Sequence, residues 1–372
     1  MSIYHFLKGL FTGYVVNFQK RLVAFNLTMN ARKEIKQVFK NSDIPKLKPH
    51  EIKEAKAFFK SKGYKLNNTY WHRFYKYMNG EFHKDYIPLD IFRPLIEPKL
   101  NRKIYWPALL DKNLTSNLFK EFNQPKTVIS NINGFYYSDD KIVSGAFAAE
   151  KCNQQKTAFI IKPTVESGRG RMVKKFTIDN GKTSIDNLKV IDLFKLYKKD
   201  FIIQKVVEQS TQLSALNPST LNTLRVVSYL NKEGVVCILN TYMRIGKPGC
   251  DTDNVSIGGI ACGVDEDGLL QKNGYTKKGQ GNGKGILLKT PTGIVLEGYQ
   301  IPNYSAVNEM VKEMHVLVPL FKIISWDIGI DINNTPILVE YNTFYQNVDL
   351  QMFNGPLLRD YTDEILALGL EA

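Results

Sequence analysis

Between Trp326 and Asn342 the chain carries two short apolar runs, Trp326-Asp327-Ile-Gly-Ile-Asp331 and Pro336-Ile-Leu-Val-Glu340-Tyr-Asn342. Read as two strands joined by a turn, they place Asp327, Glu340 and Asn342 within reach of one another. Glu340 and Asn342 lie two residues apart on one strand, so they share a face. Two carboxylates and an amide oxygen suit Mg²⁺, which takes a few hard oxygen ligands and completes its shell with water and phosphate. The plainer alternative is a surface hairpin with solvated carboxylates.

Lys162 ends the apolar run Ala158-Phe-Ile-Ile161 and is followed by Pro163 and the loop Glu166-Ser-Gly-Arg-Gly-Arg171. From a strand end its ammonium can reach phosphate oxygens, while the backbone N–H groups of Ser167, Gly168 and Gly170 cover them. A lysine snorkelling at a strand end would look the same. Further on, Gln204 to Glu208 close a second apolar strand, Phe201 to Val207, with polar groups able to hydrogen-bond a nucleotide. Arg225 and Arg244 stand in two β-rich stretches with period-2 apolar neighbours, so both can face one groove. Guanidinium groups in a groove suit a phosphoryl group or a carboxylate; ordinary surface arginines are the alternative.

The elements that must hold these residues change character along the chain. Residues 1–80 repeat apolar residues at helical spacing, as in Ala31 to Phe39 and Glu51 to Phe59, and predict three or four short amphipathic helices. Prolines at 88, 94, 98 and 107 mark a boundary. Beyond it, Asp111-Lys112 opens a helix. Strands are expected near 128–130, 135–138, 158–161, 201–207, 224–230, 235–245, 258–264, 323–331 and 336–341, and a helix over 305–321. The tract Lys277 to Gly285, with four glycines in nine residues, reads as a mobile loop.

Composition narrows the class. The 372 residues are 43% hydrophobic and 23% charged, which excludes collagenous, coiled-coil and mostly disordered proteins. Residues 1–105 hold 21 Lys and Arg against 8 Asp and Glu, whereas the remainder holds 29 against 28. The basic charge belongs to the N-terminal third. Cys152, Cys237, Cys250 and Cys262 form no C-x-x-C pair, and none of the five histidines sits at ligand spacing from a cysteine, so neither a zinc site nor a disulfide framework is expected. No apolar run approaches about 20 residues, and the opening lacks the order of a signal peptide. A reducing, cytoplasmic setting is the expectation.

Taken in order, Asp111-Lys112, Lys162-Pro163, the glycine loop, Gln204 to Glu208, Arg225, Arg244, Asp327 and Glu340-x-Asn342 resemble the ATP-grasp superfamily. NTLRV, RIG, DN-x(3)-GGI, WDI, E-x-N and the late Gln351 with Gly355-Pro356 are similar to its sugar-transfer-associated subfamily, over about residues 105–358. The resemblance implies ATP-phosphate contacts from Lys112 and Lys162, adenine contacts from the backbone of Lys205, Val206 and Val207, and Mg²⁺ on Asp327, Glu340 and Asn342. Gln204 stands where many members carry glutamate, and the loop ESGRGR bears arginines where a Gly/Ser-rich form is commoner.

The resemblance further implies an ATP-grasp fold with a lid lobe at 106–206 and a core lobe at 207–372; with the basic helical region at 1–105, which lies outside the motifs, the expected class is α+β. The expected cofactors are ATP and Mg²⁺. The expected reaction joins a small-molecule or glycan carboxylate to an amine through an acyl phosphate, with Arg225 and Arg244 at the chemical step. The subfamily points to amidation of a uronic acid in cell-surface polysaccharide biosynthesis. A kinase-type phosphotransferase or a non-catalytic nucleotide-binding protein are the rival readings. No Ser–His or Cys–His nucleophile arrangement is evident in the sequence. Residues 1–105 contain no recognised nucleic-acid module. Their charge suits an anionic membrane surface or an acidic glycan, each Lys or Arg near an anionic bilayer contributing about 1 kcal/mol.

Overall fold

Strands rich in Val, Ile and aromatic residues fold into two antiparallel sheets in the computed structural model, which describes residues 3–40, 42–102, 109–165, 172–276, 285–346 and 348–370, with side chains from Phe18 onward. The first sheet comprises β1 (Thr127–Ile132), β2 (Phe135–Ser138), β3 (Lys141–Val143), β4 (Phe159–Pro163), β5 (Lys174–Phe176) and β8 (Phe201–Lys205), in the order β3-β2-β1-β8-β4-β5. A hairpin of β6 (Ile178–Asp179) and β7 (Lys182–Thr183) stands beside it. The second sheet comprises β9 (Thr223–Leu230), β10 (Val236–Ile245), β11 (Ile260–Val264), β12 (Leu270–Tyr275), β13 (Ile286–Leu287), β14 (Ile323–Ile330) and β15 (Pro336–Asn342). Its order is β13-β12-β11-β10-β9-β14-β15.

The first sheet buries Ile129, Phe159, Ile161, Phe201 and Ile203 against Ala148, Cys152, Leu193 and Phe194. Those partners lie on the helices Gly145–Asn153 and Val190–Tyr197. Ser144 caps the first helix by accepting from the Phe147 N–H. In the second sheet every residue of β14 is buried, so both of its faces are covered. The helix Tyr304–Val316 buries Val307, Met310, Val311 and Met314. It stops short of residue 321, where the sequence reading ended it, because Pro319 disfavours helical conformation just before it.

The chain divides into two units: residues 104–319 with 324–342, which hold both sheets, and residues 1–103 with 320–323 and 343–372. The second unit is mainly helical. α1 (Ile3–Lys40) is one helix of 38 residues, where the sequence pattern suggested shorter pieces. No proline interrupts it, and Gly9 and Gly13 cost only about 1 kcal/mol each. α2 (Pro49–Ser61) and α3 (Tyr70–Asn79) follow. Residues 343–372, expected in the core lobe, cluster with this helical unit. The Tyr64 hydroxyl donates to Leu366 O at 2.8 Å, and the Gln351 amide exchanges hydrogen bonds with the backbone of Ile87 at 2.7 and 2.9 Å. Burial pushes the His72 imidazole pKa down to about 4, so it is neutral within α3.

Candidate active site

Antiparallel register places Arg225 opposite Tyr242 and Arg244 opposite Thr223. Alternation then puts both guanidinium groups on one face of β9 and β10. β14 lies beside β9, and Asp327 emerges on the same face. Arg225 donates to both Asp327 oxygens, through Nε and, at 2.9 Å, through a terminal nitrogen. Arg244 donates to Asp253 Oδ1 at 2.9 Å and approaches Asp327 Oδ2 at 3.3 Å. Thr223 donates its hydroxyl to Asp253. Burial by itself would raise the Asp327 carboxyl, but Arg225 and Arg244 more than offset this and hold it below the usual range. Burial pushes Asp253 up despite Arg244. Two guanidinium groups and two carboxylates therefore form a closed, nearly buried network.

Asp327, expected from the sequence to ligate a metal, has both oxygens engaged by arginines here. Arg225 and Arg244 were expected to face a groove, and their nearest partners are carboxylates of the same chain. The pairing partner Asp253 went unrecognised, although its loop stood out as polar.

A second charged group lies in a cleft between the two sheets, lined by Lys112, Lys162, Gln204, Leu338, Glu340 and Tyr341 among others. Asp111 caps the helix Lys112–Leu118 by accepting from the Asn113 N–H at 2.8 Å. The Lys112 N–H donates to Thr164 O at 3.2 Å, which brings the start of this helix to the end of β4 and so to Lys162. Lys112 Nζ stands 3.4 Å from Glu340 Oε1. Lys162 is only 9% exposed. Burial, and then the neighbouring Lys112, push its pKa down to about 8 against the pull of Glu340. Two ammonium groups thus converge on one carboxylate.

The remaining expected residues surround this cleft in part. Gln204 donates to Pro125 O and to the Thr127 hydroxyl, both at 3.2 Å, so its amide nitrogen braces the β1–β8 edge. The N–H groups of Lys205 and Val206 donate to Lys126 O and Ala158 O. These two N–H groups are thus engaged within the chain, while Glu208 is exposed. Glu340 pairs with Asp327 across β14 and β15, and Asn342 with Ser325, so the three expected metal ligands share a face. Among the described residues no group of three or more His, Cys, Asp and Glu could hold a metal ion. Ser167, Gly168 and Gly170 lie outside the described residues, as does most of the Lys277 to Gly285 tract.

The family model described as sugar-transfer associated ATP-grasp matches residues 92–366. The chain belongs to this family. No match is found among curated proteins. Among solved structures it is similar to an L-amino acid ligase from Bacillus licheniformis, at 11% identity and a TM-score of 0.34 over 65% of this chain and 42% of that one. It is also similar to an N5-carboxyaminoimidazole synthetase from Staphylococcus aureus complexed with ADP, at 10% identity and 0.37 over 65% and 46%. A third likeness is to the biotin carboxylase domain of the Hydrogenobacter thermophilus 2-oxoglutarate carboxylase, at 11% and 0.39 over 71% and 46%. The chain spans less than half the length of each. Scores this low leave the family match to carry the assignment.

Several ATP-grasp motif residues act structurally. Asn222 of NTLRV bonds Gln209 Oε1, Leu213 O and Asn217 O and accepts from Gly246 N, which ties the turn before β9 to the end of β10. In the DN-x(3)-GG loop, a side chain at Gly259 would come within 2.9 Å of Ile245 O, and Gly258 has φ +111°. Trp326 of WDI donates its indole N–H to Ser228 Oγ at 2.7 Å, and Ser228 lies 2.7 Å from His315 Nδ1. The structure thus does create a Ser–His pair that the sequence reading did not see. Both residues are fully buried beneath Trp326, so the pair serves the core and not nucleophilic attack. Leu338, which the sequence reading did not single out, lines the cleft although it is only 1% exposed, and a register shift between Asp327 and Ile328 breaks the period of two between it and Glu340.

The cleft's donor set fits a nucleotide polyphosphate. Lys162 is a buried ammonium that shares Glu340 with Lys112, and ammonium groups suit phosphate oxygens. Glu340 and Asn342, hard oxygen donors on one face, fit Mg²⁺.

Proposed function

We propose that this ATP-grasp protein is an ADP-forming ligase that joins a carboxylate to an amine. The observation that carries this reading is the convergence of Lys112 and Lys162 on Glu340 in the lining of a cleft between the two sheets, with Asn342 on the same face of β15 as Glu340. Lys112 and Lys162 hold the polyphosphate, the hinge at Lys205 to Val207 and the apolar Leu338 receive the base, and Glu340 and Asn342 hold Mg²⁺. Bound there, Mg²⁺ supplies charge neutralisation of the phosphates. A substrate carboxylate oxygen attacks the γ-phosphorus, and the bond to the β-phosphate oxygen breaks with its electron pair leaving on ADP. The acyl phosphate so formed is attacked at its carbonyl carbon by the amine lone pair. Phosphate leaves, the amine loses a proton, and an amide remains. Arg225 and Arg244, held by Asp327 and Asp253, with Arg225 close enough to feel the charge of Glu340, stabilise the developing negative charge.

The sugar-transfer association of the family favours a sugar acid as the carboxylate, and polysaccharide biosynthesis as the setting. The test is ADP and phosphate release across a panel of uronic acids and amino acids, with the product mass read directly. The expected result is ADP formation that requires both substrates and a product lighter by one water than their sum. A stable phosphoester formed without amine would replace this reading with phosphotransfer.

A further inference from the structure

α1 departs from a rule that most helices of folded proteins obey, which is to bury an apolar face. Its C-terminal part does so: Ala31 and Ile35 are buried, and Arg32 pairs with Asp90 at 3.3 Å. Every side chain from Phe18 to Asn30 is exposed or half-exposed. Within that stretch Phe18, Leu22, Phe25 and Met29 are 53%, 47%, 61% and 47% exposed. Their spacing of four, three and four residues confines them to a band about 60° wide. The same band continues through Lys33, Lys36 and Lys40, all exposed. Upstream, the sequence repeats the spacing with Tyr4, Leu7, Phe11 and Val15. Gln19, Lys20 and Asn26 lie off the band.

We infer that α1 lies along an anionic lipid bilayer, with Phe18, Leu22, Phe25 and Met29 inserted among the acyl chains and the lysines of the same band on the headgroups. The band demands two chemistries in one line, an apolar medium and then negative charge, and an anionic membrane surface offers both. An acidic glycan would satisfy the lysines and leave the four large apolar side chains in water. A second copy would cover the apolar residues but bring like charge against a region holding 21 Lys and Arg against 8 Asp and Glu. Among the described residues no helix is long and apolar enough to cross a membrane, and a narrow apolar band, with Val23 (47% exposed) the one large apolar side chain exposed off it between Phe18 and Asn30, suits a helix lying in the interface plane.

Flotation of the full chain with phosphatidylcholine vesicles, with and without phosphatidylglycerol, tests this. The chain is expected to float with the phosphatidylglycerol vesicles, less with phosphatidylcholine alone, and to retain part of its binding in molar salt. Phe18→Glu with Phe25→Glu should lower partitioning at least about tenfold while leaving the thermal melt unchanged, because both positions are exposed; Leu22→Ser with Met29→Ser is the milder second pair. Lys33→Glu with Lys36→Glu should abolish the preference for phosphatidylglycerol. Failure of the wild-type chain to float with either vesicle overturns the inference, as does flotation unchanged in both apolar pairs. A dimer that Phe18→Glu with Phe25→Glu dissolves, without vesicle binding, assigns the band to a second copy and overturns it equally.

Discussion

Two clusters of charge lie on or beside the second sheet, and they are built on opposite principles. The Arg225, Arg244, Asp253 and Asp327 network balances two positive charges with two negative ones, and nearly all its polar atoms face partners in the chain. In the cleft, by contrast, Lys112 and Lys162 both converge on the Glu340 carboxylate. A buried pair that loses a partner costs about 3–5 kcal/mol, whereas an ion that lacks a partner stays ready for a ligand of opposite charge. On the proposed function, the first cluster aims the arginines and the second receives the phosphates.

The sharpest way to break this contrast is at Asp327. Asp327→Ala strands the buried Arg225 guanidinium, while Arg244 keeps Asp253, so urea denaturation should show a loss of about 3–5 kcal/mol, along with lost turnover. A stable, active variant would mean that the network is dispensable. Next comes Glu340→Ala. Glu340 is 40% exposed at the side chain, so the melt should hold. ADP formation should nevertheless fall about 100- to 1,000-fold, as when a charge-stabilising group is removed from an active site. Near-normal rates at physiological Mg²⁺ would remove it from the metal site.

Smaller effects separate the clusters further. Lys162→Met should weaken a non-hydrolysable ATP analogue about 10- to 100-fold in calorimetry, the worth of a charge-assisted hydrogen bond, without lowering stability. Unchanged affinity would return Lys162 to the role of a strand-end lysine. The least effect is in pH. The Lys162 pKa is depressed from 10.5 to about 8 in the free protein, and an anion favours the protonated form. Analogue affinity should then be flat below pH 8 and fall as pH rises above it, at most about tenfold per unit. Between pH 8 and 10.5 the unfolded chain binds a proton that the folded chain does not, so this group's contribution to stability rises with pH there. In Lys162→Met both slopes should vanish, and a slope that persisted would belong to another group.

Residue type and order along the chain were enough to read the α+β class, the strands near 128–130, 224–230 and 336–341, the strand expected at 201–207 that ends at Lys205, and the sugar-transfer associated ATP-grasp family. They were enough because these signals are local: apolar runs bounded by turns, a period of two on β15, Asp111 ahead of its helix. The lysine at the end of β4 and the Glu340-x-Asn342 spacing were equally legible, since neighbours in sequence set their direction.

What only the tertiary structure decided depends on residues far apart in the chain. Asp253 meets Arg244 because β10 and the loop after it fold onto Thr223, and Asp327 meets Arg225 because β14 adds to the edge of β9; no local pattern encodes either pairing. The Ser228, His315 and Trp326 cluster arises in the same way, from a strand, a helix and a second strand. Residues 343–372 join the N-terminal helices through Gln351 and Leu366, whose partners Ile87 and Tyr64 lie more than 260 residues earlier. The continuity of α1 is different in kind. Helix formation is cooperative, so stretches that read as separate short helices extend into one when no proline stands between them. Which of its faces stays exposed was settled by where Ala31 and Ile35 found a core to enter.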